Sequence, residues 1–194
     1  MRNVKPIKVC KRACSLSHWQ KASPQALFIV VTGGYARNIE RKRSVKTRTL
    51  TKKLLGIRES MREDLVRIRT AFERIDKSNL PVTFNDFPRG SCGDTCEVLA
   101  EILRELGHGS SQYKVGCREN GNSHAWLEMN SVIIDITADQ FDEISDPVYI
   151  GPSNPWYQSF EIQQEHEAGY SRLDARSKAE LAGVHSRVKE ELNA

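Results

Sequence analysis

Three residues of this 194-residue chain are of the types that together perform thiol chemistry: Cys92, His124 and Asp135, separated by 32 and 11 positions. An imidazole takes the proton of a thiol, and a carboxylate fixes the ring's tautomer and supports its charged form. The same imidazole can later give its proton to an amine leaving group. That chemistry requires three distant positions to meet, so the elements that carry them come next.

Cys92 follows the stretch Phe87-Pro88-Arg89-Gly90-Ser91, where Pro88 and Gly90 break regular structure. Ser91 and Asp94 have the spacing of a capping box, a mark of a helix start. Val98, Leu99, Ile102, Leu103 and Leu106 then recur at helical spacing up to Gly107, a fitting stop. Cys92 is thereby expected on the first turn, where unpaired N–H groups and the positive end of the helix dipole favour a thiolate and a developing oxyanion. Beyond Gly107 the pattern becomes that of an antiparallel meander. Its strands are expected at Tyr113 to Arg118, Ser123 to Met129 and Val132 to Thr137, with turns at Asn120-Gly121 and Asn130-Ser131. Pairing outward from Asn130-Ser131 sets Leu127 against Ile134 and Trp126 against Asp135. A register step or bulge would bring Asp135 beside Ala125 or His124.

Other positions have plainer readings beside them. Cys96 lies one turn after Cys92 and reads as core. Asp139 is a rival to Asp135 or a turn cap. Trp126 alternates with His124 on one strand face, as a wall of the site or as packing. Gln140 and Asn122 are amides within reach of an oxyanion, or turn-satisfying groups. Trp126 and Gln140 are the candidates for substrate contact. Cys92, Cys96, Cys117 and His124 form an alternative zinc set, which leaves Asp135 unexplained.

The rest of the chain sorts by charge. Residues 1–60 hold fifteen Lys and Arg against two acids, and residues 61–194 hold fourteen against twenty-three. This predicts a basic, weakly structured arm over 1–60 whose partner would be nucleic acid or another acidic surface. Cys10, Cys14 and His18 in that arm make half a zinc site. A packing helix is expected from Glu63 to Asp76, with Leu65, Ile68, Phe72 and Ile75 on one face. Pro147 to Ile150 reads as an edge strand, Trp156 to Glu167 as a helix or irregular aromatic segment, and Ser171 to Leu192 as a polar helix with a thin apolar stripe. The longest apolar run, Ala26 to Val31, is too short for a membrane span or a good secretory leader. Five cysteines, an odd number in a chain of this size, predict a reducing, cytoplasmic setting rather than a disulfide framework.

Gly90-Ser91-Cys92-Gly93-Asp94, Ser123-His124-Ala125-Trp126-Leu127-Glu128 and Ile134-Asp135-Ile136-Thr137 together resemble the transglutaminase-like branch of the papain-like cysteine enzymes. The likeness covers residues 61–160. It is similar in detail to bacterial proteins that share the longer run Asp135-Ile136-Thr137-Ala138-Asp139-Gln140-Phe141. The resemblance implies an α+β papain-like core, placed here over 61–170; the C-terminal helix over 171–194 lies outside the likeness and rests on its residue pattern. The resemblance also implies a catalytic triad of Cys92, His124 and Asp135. The expected activity is that of a cysteine-dependent hydrolase or acyltransferase on a protein or peptide-like amide, through a thioester, with no metal or organic cofactor. Peptide hydrolysis, glutamine deamidation and acyl transfer all remain open. The alternative is a non-catalytic binding module whose basic arm makes the contact.

Overall fold

Apolar side chains at intervals of three and four place a helix first in the described part of the chain. The computed structural model describes residues 59–194; the basic arm lies outside them apart from Glu59 and Ser60, and with it the Cys10/Cys14/His18 half-site and the expected acidic or nucleic-acid contact. Helix α1 covers residues 59–74. Leu65, Ile68 and Phe72 are fully buried along it, and Ile75 follows just past its end.

Helix α2 (Cys92–Glu105) begins at the expected cysteine and buries Cys96, Val98, Leu99, Ala100, Ile102 and Leu103. Leu106, expected on that face, is 47% exposed because it is already the C-cap. Gly107 at φ +84° ends the helix, with its N–H on the Arg104 carbonyl at 3.1 Å and that of His108 on the Leu103 carbonyl at 2.9 Å. This paired return satisfies the last carbonyls and needs a residue without a side chain at the left-handed position.

Five strands follow: β1 (Gln112–Cys117), β2 (Ser123–Met129), β3 (Val132–Asp135), β4 (Tyr149–Gly151) and β5 (Glu161–Glu167). They form one sheet in the order β4-β3-β2-β1-β5, with every neighbouring pair antiparallel. The β2–β3 ladder runs Met129↔Val132, Glu128↔Ile133 and Leu127↔Ile134 without a shift. Asn130 and Ser131 close it with positive φ at both positions, the two-residue turn that suits the strand twist. β3 ends at Asp135 rather than Thr137, because the Thr137 N–H and hydroxyl turn back onto the Asp135 carboxylate. The edge strand lies at Tyr149–Gly151, slightly beyond its expected place.

The aromatic segment resolves into two elements. A one-turn helix, α3 (Pro155–Gln158), is capped by the Asn154 side chain, and β5 follows it. β5 carries no apolar alternation, since six of its seven residues are exposed; beside its backbone ladder, His166 stacks on Tyr113 and Glu165 faces Lys114 of β1. Helix α4 (Ala175–Leu192) starts at the Asp174 cap, four residues later than expected, because Tyr170–Arg172 forms a separate 3-10 turn. Leu181, Val184 and Val188 of α4 join the same core as α1 and α2, so this helix is part of the fold rather than an addition to it.

The chain is therefore α+β, with apolar clusters on both faces of the sheet. The larger joins α1, α2 and α4 to Ala125, Leu127, Met129 and Ile134; the smaller contains Trp126, Ile133, Tyr157 and Phe160. Odd-numbered residues of β2 thus meet the helices and even-numbered ones meet the aromatic side chains, as strand alternation requires. Among the described residues, no helix is long and apolar enough to cross a membrane.

Candidate active site

Cys92 opens α2 directly after a turn at Gly90, whose φ of +70° suits glycine. The expected capping box does not form. Ser91 sits at the N-cap with a helical backbone (φ −100°, ψ −3°), and its hydroxyl donates back to the Pro88 carbonyl at 2.9 Å. Asp94 instead accepts the Thr83 hydroxyl at 2.6 Å. The consequence is useful to the cysteine: no side-chain cap covers the first N–H groups of α2, which have no acceptor within the helix.

His124 and Asp135 meet across β2 and β3. The ring Nε2 lies 2.6 Å from Asp135 Oδ2, and the two side chains are 0% and 1% exposed. No register slip is needed. Asp135 stands just beyond the last ladder pair, and the contact is a diagonal one between strands, within the reach of these side chains. The carboxylate is fully engaged: Oδ1 accepts the Thr137 N–H at 2.8 Å and the Thr137 hydroxyl at 3.0 Å, and Oδ2 also accepts the Tyr157 hydroxyl at 3.0 Å. An ionised carboxylate only accepts, so Nε2 must carry a proton and Nδ1 is the free lone pair of the neutral ring.

The Cys92 thiol and that ring lie close enough for each to shift the other's pKa. Burial alone would raise its pKa. The His124 hydrogen bond and charge, with a backbone hydrogen bond from Ala125, outweigh burial and bring it below the ordinary thiol value. Burial would lower the His124 pKa, but the Asp135 carboxylate, followed by Cys92, pushes it up to about 9. Burial would raise the Asp135 carboxyl, and His124, Thr137 and Tyr157 hold it below the usual range. These directions agree: the site favours thiolate beside imidazolium. Cys96 differs in kind. It is 3% exposed, and burial drives its thiol well above the ordinary value, as expected of a core cysteine.

Aromatic rings enclose the imidazole. Phe141 and Trp156 meet it edge-on at 5.2 and 5.5 Å, while Trp126 and Phe160 lie at 6.0 Å. Trp126, expected to touch a substrate, is 2% exposed and backs the ring from within the core. Gly116, opposite His124 in the β1–β2 ladder, permits this packing: a Cβ there would fall 2.7 Å from that of Phe160. The Arg118 guanidinium covers Phe160 at 4.3 Å and Trp156 at 4.8 Å, and bonds to Ser159 and Glu143.

Gln140 is brought to the site. Its Nε2 lies 3.2 Å from His124 Nδ1, and it lines an open cleft of about 460 Å³ with Arg89, Asn122, Ser123 and Phe141. Asn122 lies in the same cleft. Asp139 is no rival to Asp135: it pairs with Arg69 through both oxygens, at 2.7 and 2.8 Å. Arg69 also donates to the Ile136 carbonyl at 2.5 Å and stacks over Phe87 at 4.9 Å, so one buried guanidinium joins the loop after Asp135 to the loop before Cys92. Sequence reasoning missed Arg69 and Tyr157. Arg69 had a signal, since it stands four residues after Leu65 and three before Phe72, a charge on a buried face.

The alternative zinc set is not assembled: among the described residues no three or more His, Cys, Asp or Glu side chains form a group fit to hold a metal. Cys92, Cys96 and Cys117 are free thiols. The geometry can therefore move a proton from sulfur to ring, present a thiolate, and hold a developing negative charge at a helix start. Comparison with known proteins adds no relative to this picture, since no family model, no curated protein and no solved structure matches the chain.

Proposed function

We propose that the protein is a cysteine-dependent hydrolase or acyltransferase that acts on an amide of a protein or peptide-like substrate. The observation that carries this reading is the buried His124–Asp135 pair, its carboxylate fully hydrogen-bonded, with the half-buried Cys92 at a helix start close enough for thiol and ring to shift each other's pKa. A papain-like or transglutaminase-like core is the reading of the fold that goes with it. The helix-borne cysteine, the H-A-W-L-E strand and the D-I-T strand occur in the order that resemblance requires.

In this mechanism Cys92 Sγ attacks the amide carbonyl carbon while the thiol proton resides on His124 Nδ1. The carbonyl π pair moves to oxygen, held by the Cys92 backbone N–H. His124 then protonates the departing amine, the C–N bond breaks, and a thioester remains. Water or a second amine attacks the thioester, gives its proton to the ring and restores the thiol. A nucleophile of this kind must stay reduced, which favours a cytoplasmic setting.

The test is covalent capture. Purified protein incubated with an amide-derived electrophile, a peptidyl chloromethyl ketone series, should carry the adduct on Cys92 alone, and Cys92→Ser should abolish it. Adducts spread over Cys92 and Cys117 alike would reject the reading.

A further inference from the structure

The Gln140 side chain has an orientation that its neighbours decide. Its Nε2 donates to the Thr137 carbonyl at 2.9 Å, and its Oε1 accepts the Gly90 N–H at 3.3 Å. Reversing the amide would set oxygen against oxygen and N–H against N–H, so the nitrogen end is the one beside His124. The second N–H of Nε2 therefore points at Nδ1, 3.2 Å away. Nδ1 is also the atom that must receive the thiol proton, because Nε2 is held by Asp135. Two donors, the Gln140 amide and the Cys92 thiol, thus compete for one lone pair.

We propose that Gln140 is a substrate-operated brake on the thiol proton: in the empty site its N–H competes with that proton for His124 Nδ1, and it moves to the substrate's carbonyl oxygen on binding. Resting on the amide-acylation reading above, this adds a means of coupling thiolate formation to occupancy. Gln140 is the cleft-lining residue with a polar atom on the ring, so a carbonyl entering along Arg89, Ser123 and Asn122 meets this N–H. When the N–H swings to the carbonyl oxygen, the S–H bond breaks and the Nδ1–H bond forms. The sulfur pair bonds to the carbonyl carbon, and the C=O π pair becomes the oxyanion that Gln140 and the Cys92 backbone N–H share. In the empty site the same N–H would face a protonated Nδ1, which opposes the ion pair and limits idle thiolate. The amide is planar and turns as a unit, so the 3.3 Å contact from the Gly90 N–H lengthens in the change.

The titratable groups that interact with the Cys92–His124 pair are Asp135 of β3, Cys96 of α2 and Tyr113 of β1, with Tyr157 of α3 bonded to Asp135 behind them. None is altered by changing Gln140. The test compares two probes over pH 4–10 on the full chain and on Gln140→Met, a variant of similar shape without the amide. 2,2′-Dipyridyl disulfide reports thiolate without an oxyanion, and 4-nitrophenyl acetate reports acylation with one. The midpoint of both profiles should fall by roughly half a pH unit, the value of one ordinary hydrogen bond. The disulfide plateau should hold within about twofold, while the acylation plateau should drop by about 10²-fold, as for loss of an oxyanion donor. Both plateaus falling together with a native melting temperature would mean a structural role only, and an unmoved midpoint would also overturn the brake. Should Gln140→Met fail to fold, Gln140→Glu keeps the size and is expected to lower the midpoint further with the same loss of acylation; a raised midpoint would overturn the proposal. Wild-type disulfide exchange no faster than in His124→Ala would instead refute the nucleophile reading itself, separately from Gln140.

Discussion

His124 Nε2 and Asp135 Oδ2 lie 2.6 Å apart with neither side chain open to solvent. The two residues come from adjacent strands joined by a two-residue turn, so a short segment builds the base and its orienter together. Cys92 arrives separately, on a helix packed on the other face of the same sheet. On the proposed function, turnover of an amide would depend on how these two independently anchored parts are held.

The pH dependence follows from the direction of each shift. The Cys92 thiol is below its ordinary value, so the ascending limb of activity lies below the usual thiol range near 8.5. The His124 pKa is pushed up to about 9, so on the proposed mechanism the acid for the leaving amine is lost above that pH and amide turnover should fall. Alkylation of the thiolate by iodoacetamide needs no acid and should stay flat through the same range. Both limbs belong to the coupled pair rather than to either residue. Steady-state rates and alkylation rates measured on one pH series check the contrast; a parallel fall of both above pH 9 would contradict it.

Tyr157→Phe removes one of the four hydrogen bonds to Asp135 and leaves the ring in place. The expected cost is about 1 kcal/mol of stability, the range for a single buried hydrogen bond. Activity should fall only a few-fold, because Thr137 and His124 still hold the carboxylate. Urea denaturation with matched kinetics checks this, and an unchanged midpoint would show that the hydroxyl is not engaged.

Arg69→Met should be more damaging. It strands Asp139 and frees the Ile136 carbonyl, loosening the loop that carries Asp135, Thr137 and Gln140. Loss of one partner from a fully buried pair costs about 3–5 kcal/mol, and since Asp139 is 19% exposed, about 2–3 kcal/mol is expected here. Combining it with Asp139→Asn should recover part of that loss in a double-mutant cycle. Additive losses would deny the coupling.

Gly116→Ala tests the aromatic enclosure. Its Cβ would stand 2.7 Å from that of Phe160 and 3.1 Å from the Glu161 carbonyl, and backbone cannot yield as a flexible side-chain tip does. An overpacking cost of about 1–3 kcal/mol is expected, with displacement of the rings around His124 and a lower rate. A melting temperature equal to wild type would show that β5 and Phe160 give way freely.

Much of the site was legible because its parts are local. The helix start at Cys92, the β2–β3 turn at Asn130-Ser131 and the register that follows are set by glycine, turn residues and alternation within a few positions. The capping box failed because its residues have better partners elsewhere: Ser91 turns to Pro88 and Asp94 to Thr83. β5 was hidden because an edge strand of exposed Glu and Gln carries no side-chain period; its ladder and its cross-strand pairs with β1 are long-range. Tyr157 was hidden for a different reason. Its hydroxyl reaches Asp135 through the packing of α3 against the sheet, and nothing within the local pattern of residues 155–158 encodes that distance.

The most direct measurement is the rate of iodoacetamide labelling at pH 6.5, resolved by residue with peptide mass spectrometry, in wild type and His124→Ala. The account predicts that Cys92 is labelled well ahead of Cys117 and Cys96, and that loss of the ring slows it by at least about tenfold, the effect of removing a thiol's base. Cys92 reacting no faster than Cys117, or at the same rate with and without His124, would contradict it.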